Sequence, residues 1–216
     1  MSSVFHERIA TIKKQWITPY LKERKFKVKG NLYSFQKQTL EWIIDIQTSR
    51  WNTAAAGSLT LNCGVYVPGV VSTYVLNDNF KEKKGIETCC VYSRLGILVA
   101  RQDKWWTVKV DDAINADEVI GTDILKDLKE GAFSFFQRFK TKYDVIDFLT
   151  RTRPSEYKDY FPMSEVICLC YAAILYKQLG DNDKCQNTLE KAFKVKNDSL
   201  LDEVLINLRE RLLRQK

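Results

Sequence analysis

The chain predicts an α+β fold, with an N-terminal helix packed on an antiparallel sheet of about five strands and followed by a helical C-terminal part. Three features of the apolar pattern carry this expectation. Apolar residues recur at helical spacing up to Trp16, alternate with period two between Phe26 and Val67, and return to helical spacing after Asn115. The 216 residues suffice for one large domain or two small ones, and 45% hydrophobic content argues against disorder.

Residues 4–17 read as an amphipathic helix, because Phe5, Ile9, Ile12 and Trp16 step by four, three and four along one stripe. Thr18-Pro19 then marks a kink or restart, since a proline is tolerated in the first turn of a new helix. From Lys25 to Phe35 the alternation runs on both sides of Gly30-Asn31, a two-residue hairpin turn. Folding about it sets Val28 opposite Tyr33 and Phe26 opposite Phe35 on one face, and sends Lys25, Lys27 and Lys29 to the other. A second reversal near Gln38-Thr39 aligns Phe35 with Trp42 and Tyr33 with Ile44 on the same apolar face. Two turns agree on one register, and a slip of one residue would invert every side chain. The rings of this ribbon are expected beneath the opening helix, and its ammonium groups in water.

Leu59–Val67 alternates again and stops at Pro68-Gly69; Thr88–Arg94 and Trp105–Val110 are weaker strand candidates around a polar, lysine-rich loop near 77–85. Trp105 and Trp106 are adjacent, so in a strand only one of them faces inward. The sheet is expected to have one face under helix and the other partly wet.

Asn115-Ala116-Asp117-Glu118 reads as a capping box, after which Ile120, Ile124, Leu128, Ala132 and Phe136 step by four past Gly131. Asp144–Thr150 reads as a short helix, and Arg153-Pro154 to Phe161-Pro162 as a connector. Helices are expected over 163–178, 182–196 and 199–214. The domain organisation that follows is an antiparallel α+β domain over 1–112, helices packed on it over 113–152, and a helical hairpin plus closing helix over 163–216. Leu169, Ala173, Tyr176, Gly180, Cys185, Leu189 and Ala192 give that hairpin a resemblance to a tetratricopeptide-type unit; a single copy is expected to cap its neighbour.

The charge is uneven. Nine Lys/Arg face two acids in the first forty residues, which accounts for the whole net +7. Such a field suits an acidic partner or a phosphate. Lys25, Lys27 and Lys29 are therefore the candidate partner-binding residues, with Lys22 and Arg24 just before them. Arg50 and Trp51 join them as interface anchors, residue types favoured in binding hot spots. Single-strand-binding sheets place rings beside such charges, whereas here Phe26, Tyr33, Phe35 and Trp42 fall on the opposite face.

Catalytic signatures do not accompany these residues. His6 stands alone in the first turn of a helix. Cys63, Cys89, Cys90, Cys168, Cys170 and Cys185 lack zinc-ligand spacing and read as reduced, buried thiols. Glycine-rich phosphate loops are absent from the sequence. The close carboxylate pairs, Asp111-Asp112 and Asp144/Asp147, read as structural. The expectation is a non-enzymatic cytoplasmic binding protein with an acidic protein partner, no cofactor, no metal and no membrane span. Nucleic-acid backbone binding is the second reading, and an enzyme of unrecognised type the third.

Phe26-Lys27-Val28-Lys29-Gly30-Asn31, Ile46-Gln47-Thr48-Ser49-Arg50-Trp51 and Leu59-Thr60-Leu61-Asn62-Cys63-Gly64 together resemble an uncharacterised bacterial family, the domain of unknown function 4304. Lys25 stands where that family favours glycine. The resemblance implies an α+β bacterial cytosolic protein over the first two-thirds of the chain, and it supplies no catalytic residues.

Overall fold

A computed structural model of the chain describes residues 4–53, 55–75, 77, 79–109, 111–113, 115–151, 159–196 and 200–214. Helices α1 (Val4–Ile12) and α2 (Thr18–Glu23) precede strands β1 (Lys27–Lys29), β2 (Leu32–Lys37), β3 (Leu40–Thr48) and β4 (Ala56–Tyr66). Then follow α3 (Val70–Val75), β5 (Val91–Arg94), α4 (Leu95–Ala100) and β6 (Trp106–Lys109). The remainder is helical: α5 (Ala116–Asp127), α6 (Phe133–Gln137), α7 (Lys142–Thr150), α8 (Glu165–Gln178), α9 (Asn182–Val195) and α10 (Leu200–Arg214). The strands order as β1-β2-β3-β4-β5, with β6 also on β4, an antiparallel sheet of six. Val110 and the Arg153-Pro154 start of the expected connector lie outside the described residues.

The chain divides into two compact units. One holds the chain up to Gln36, Glu41–Gly64 and Ser93–Arg138; the other holds Lys37–Leu40, Val65–Tyr92 and the chain from Phe139.

In the first unit α1 and α2 are joined without a break by a π-helical turn, Lys13–Ile17, in which the Thr18 N–H reaches the Lys13 carbonyl. The extra residue rotates the buried stripe. It runs Phe5, Ile9, Ile12 and then Ile17 and Leu21, so Trp16 is only half-buried. Pro19 sits in the first turn of α2, where its missing N–H costs little.

The hairpin registers are those the alternation predicts. Val28 pairs with Tyr33 and Lys29 with Leu32 across Gly30-Asn31, whose glycine has φ 64°. The Ile46 N–H donates to the Asn31 carbonyl at 3.1 Å, which fits the alignment of Phe35 with Trp42, whose rings lie 5.2 Å apart. Lys25 departs from the expectation. Its φ of 65° places it in the left-handed helix cap, so it does not project from the strand, which begins at Lys27.

The cover over the rings is shared. Tyr33 lies under the opening helix, its Oη 2.9 Å from Thr18 Oγ1. Phe26 packs against Phe133 and Phe136 of α6, and Trp42 stacks on Phe136 at 5.3 Å with planes 9° apart. Val28 shares the Tyr33 face but stays 37% exposed, because β1 is the sheet edge.

The second face of the sheet is partly wet, as expected: Lys27 and Lys29 of β1 and Gln47 of β3 are exposed on it, and its dry part lies at β4. From Leu59 to Tyr66 every residue of β4 is buried, because β4 is central and covered on both faces. Its inward polar groups are satisfied: Asn62 Nδ2 donates to Gln47 Oε1 at 3.0 Å, and Thr60 Oγ1 to the Lys104 carbonyl at 2.8 Å. In β6 Trp106 is the inward indole and Trp105 the half-exposed one.

Helices α5 and α6 form one rod through a second π-helical turn, Leu128–Ala132. The capping box expected at Asn115 does not form; Asn115 makes no side-chain cap and Asp117 accepts from Arg8 instead. Gly131 fits because a Cβ there would stand 2.7 Å from Val99 Cγ2 of α4.

In the second unit α8 is buried over Cys168–Leu175 and packs against α3, α7, α9 and α10. Thr141 and Asp144 close a capping box at the start of α7. Gly180, at φ 80°, turns α8 into α9, and Asp181 caps α9 by accepting from the Lys184 N–H at 3.0 Å.

Candidate functional site

The expected site residues divide into two neighbouring groups on the first unit. Lys27 and Lys29 are exposed on β1, opposite the Phe26 and Tyr33 face. On the Tyr33 side runs the opening helix. Between helix and hairpin lies a shallow groove of about 570 Å³, lined by Ala10, Lys13, Lys14, Thr18, Pro19, Lys22 and Gly30. Ammonium groups thus flank both faces of the sheet edge. Lys13 anchors the groove, donating to the Gly30 carbonyl at 3.1 Å and to Asn31 Oδ1 at 2.6 Å. Burial lowers its pKa, against the opposing pull of Asp45.

How much of the positive field remains available depends on internal pairing. Arg8 is consumed: its guanidinium meets Asp112 at 2.9 Å and Asp117 at 2.5 Å, with all three side chains half-buried. Arg24 lies 3.7 Å from the Tyr20 ring centre and pairs with Glu23 at 2.9 Å. The side chains of Lys14, Lys22, Lys25, Lys27 and Lys29 make no ion pair or hydrogen bond among the described residues, and all five residues are exposed. Lys13 and Lys14 belong to the site although the alternation did not select them; the charge count of the first forty residues was their signal.

Arg50 and Trp51 stand in the β3–β4 loop, the guanidinium carbon 4.9 Å from the indole centre. The Ile46–Asn31 bond fixes their place. Since β3 runs on past the level of the hairpin turn, this loop emerges at the same sheet end as Gly30-Asn31 and Lys29. Lys25 is not part of that gathering; it lies in the cap of α2, before the start of β1 and away from the hairpin turn.

His6 is exposed and meets the Phe5 ring edge-on at 5.4 Å. All six cysteines are free and buried, and burial pushes the Cys90, Cys168 and Cys170 thiols up to about 12. Asp144 is a capping residue and Asp147 pairs with Arg151. No group of three His, Cys, Asp or Glu among the described residues is arranged to hold a metal ion. No helix among them is long and apolar enough to cross a membrane.

Sequence reasoning missed one charged cluster. Lys104 Nζ lies 2.7 Å from both Asp123 and Asp127, and Asp127 is only 3% exposed. Burial alone would lower the Lys104 pKa, but hydrogen bonds to Asp123 and Asp127 reverse this and raise it. Trp106 Nε1 donates to Asp123 at 2.7 Å. The i, i+4 acids on α5 were the available signal. A buried carboxylate needs such a cation, so the cluster ties the start of β6 to α5. The adjoining pocket of about 270 Å³ is lined by Gly96, Val99, Ala100, Gln102, Asp103, Lys104, Trp105 and Asp127.

Fold and site together define a mixed α+β protein with a helix-covered antiparallel sheet and a lysine-lined edge. The chain belongs to the family described as Domain of unknown function (DUF4304), whose model matches residues 17–138. No curated protein and no solved structure matches it.

Proposed function

We propose that this protein is a non-enzymatic binding protein that engages an acidic macromolecular partner through the lysine-lined edge of its sheet. One observation carries the reading: Lys14 and Lys22 on the helix and Lys27 and Lys29 on the strand surround one edge without acidic partners among the described residues. Unpaired like charges cost stability through mutual repulsion, and an acidic ligand offsets that cost. The buried or half-buried rings of Phe26, Tyr33, Phe35 and Trp42 support a protein partner over a nucleic acid. Free, buried cysteines support a reducing, cytoplasmic setting, and the family resemblance supports a bacterial one. The Glu165–Val195 hairpin, turning at Gly180, is read as tetratricopeptide-like.

The test is a salt titration against polyglutamate and against single- and double-stranded oligonucleotides. Polyglutamate binding should fall steeply with salt and vanish when Lys14, Lys22, Lys27 and Lys29 are all changed to Glu. Preferential oligonucleotide binding would move the assignment to the phosphate-backbone reading. Retained polyglutamate binding by the charge-reversed protein would reject the lysine edge.

A further inference from the structure

Trp51 has the highest exposure of the large hydrophobic side chains described, at 77%. An isolated exposed tryptophan on a floppy loop would mean little, but this loop is tied down. The Trp51 N–H donates to Ser49 Oγ at 3.1 Å, Ser49 N–H to the Ser58 carbonyl at 2.9 Å, and Ser58 N–H to Asn52 Oδ1 at 2.8 Å. Thr53 N–H closes the tip on the Ala56 carbonyl at 2.8 Å. Arg50 covers one face of the indole and leaves the rest of the ring to solvent. The backbone that carries the ring is thus positioned in advance, so little loop ordering remains to be lost on binding.

The position of the ring adds the second half of the argument. Trp51 is five residues beyond Ile46, whose N–H meets the hairpin turn at Asn31. The indole and the Gly30 end of the lysine groove are therefore within about 16 Å of each other at one end of the sheet. An extended segment of about five residues spans that distance.

We infer, building on the reading above, that the partner is an extended acidic polypeptide segment carrying an apolar side chain: its carboxylates lie along the lysine groove and its apolar residue seats against Trp51. Charge complementarity selects acids for the groove. A second copy of this chain is disfavoured, because it would bring the same positive edge against itself. A single-stranded nucleic acid wants several free ring faces in succession, and this surface offers one indole with one face already covered.

Fluorescence anisotropy with labelled peptides tests this. The probes are a run of glutamates followed by a Gly-Ser spacer and phenylalanine, the same peptide with serine for the phenylalanine, one with glutamines for the glutamates, and oligo-dT as competitor. The phenylalanine peptide should bind about tenfold tighter than its serine counterpart, and Trp51→Ala should erase that difference. An unchanged unfolding midpoint shows that Trp51→Ala is folded. If Trp51→Ala binds both acidic peptides as the wild type does, this inference is overturned while the lysine-edge reading stands. If the wild type binds neither acidic peptide at low salt, or Lys14→Glu/Lys22→Glu/Lys29→Glu changes nothing, the underlying reading falls and takes the inference with it. Oligo-dT displacing the peptide, with its own affinity lost in Trp51→Ala, would make the site a nucleic-acid platform and overturn the peptide assignment.

Discussion

The Phe26 N–H donates to the Leu21 carbonyl at 3.0 Å, spanning the Lys25 N–H bond to Lys22 at 2.8 Å. This nested pair ends α2 and requires the intervening residue, Lys25, to be left-handed, at φ 65°. Leu21 and Phe26, the flanking apolar residues of the motif, are both buried. A non-glycine residue pays about 1 kcal/mol for this conformation. Lys25→Gly should therefore stabilise the protein by about 0.5–1 kcal/mol, the strain relieved exceeding the added unfolded-chain entropy. Urea unfolding should show a higher midpoint at unchanged slope. Lys25→Ala, which keeps the Cβ, should give no such gain; equal gains in both variants would assign the effect to charge.

Gly121 of α5 permits the opening helix to approach, since a Cβ on it would stand 2.4 Å from the Trp16 ring. Gly121→Ala should cost about 1–3 kcal/mol by overpacking. Trp16→Leu in the same chain should recover part of the loss, so a double-mutant cycle should give a coupling of about 1 kcal/mol. Strict additivity would show that the contact carries no energy.

Such contacts also mark where the sequence stopped being informative. The two hairpin registers were legible because strand period and turn chemistry agree at Gly30-Asn31, and α8 and α9 because Gly180 and Asp181 punctuate them. Neither π-helical turn was legible, since an inserted residue changes which side chain is inward without changing composition; Trp16 and Ile17 trade places as a result. Helices α3 and α4 were missed because Val70–Val75 and Leu95–Ala100 are apolar runs too short for any period to show. Of the site, Lys27, Lys29, Arg50 and Trp51 were visible as residue types. Their grouping with Lys13 and Lys14 was not, because it depends on how a helix and a hairpin distant in period pack together.

Arg8 bridges Asp112 and Asp117 and also donates to the Lys109 carbonyl. The Asp112 carboxyl is held below its usual range, first by the Lys109 N–H, then, against a burial penalty, by Arg8. A depressed folded-state pKa gives stability that is present above the unfolded value, about 3.9, and is lost as pH falls through the folded one. Arg8→Ala should cost about 1–2 kcal/mol at neutral pH, discounted for partial exposure. It should also flatten the acid limb of the stability profile below about pH 4. An acid limb identical to wild type would remove Arg8 from this role.

The six thiols should be silent in the folded protein. Burial raises Cys90, Cys168 and Cys170 to about 12, so almost no thiolate exists near pH 8. A thiol-exchange reagent should react slowly with native protein and titrate all six only after unfolding. Rapid modification of one cysteine under native conditions would show that its burial is transient.

The lysine edge makes a prediction that needs no partner. Lys27 and Lys29 are two residues apart on one strand face, about 7 Å. At that distance two unit charges repel by about 0.6 kcal/mol in water of low ionic strength. Lys14 and Lys22 add to this from the helix side of the same edge. Salt screens such repulsion over about 10 Å at 0.1 M. Wild-type stability at neutral pH should therefore rise with moderate salt, whereas a protein held by exposed ion pairs would weaken. Changing Lys14, Lys22, Lys27 and Lys29 to Gln should raise stability by about 0.5–1 kcal/mol at low salt and flatten the salt response. The same variant should lose affinity for acidic polypeptide. A gain in stability coupled to a loss of binding is what separates a functional charge cluster from a merely solubilising one, because removing dispersed surface lysines changes neither. Thermal unfolding of both proteins across a salt series measures the first half. A wild type whose midpoint falls with salt would show that the edge is already neutralised within the fold.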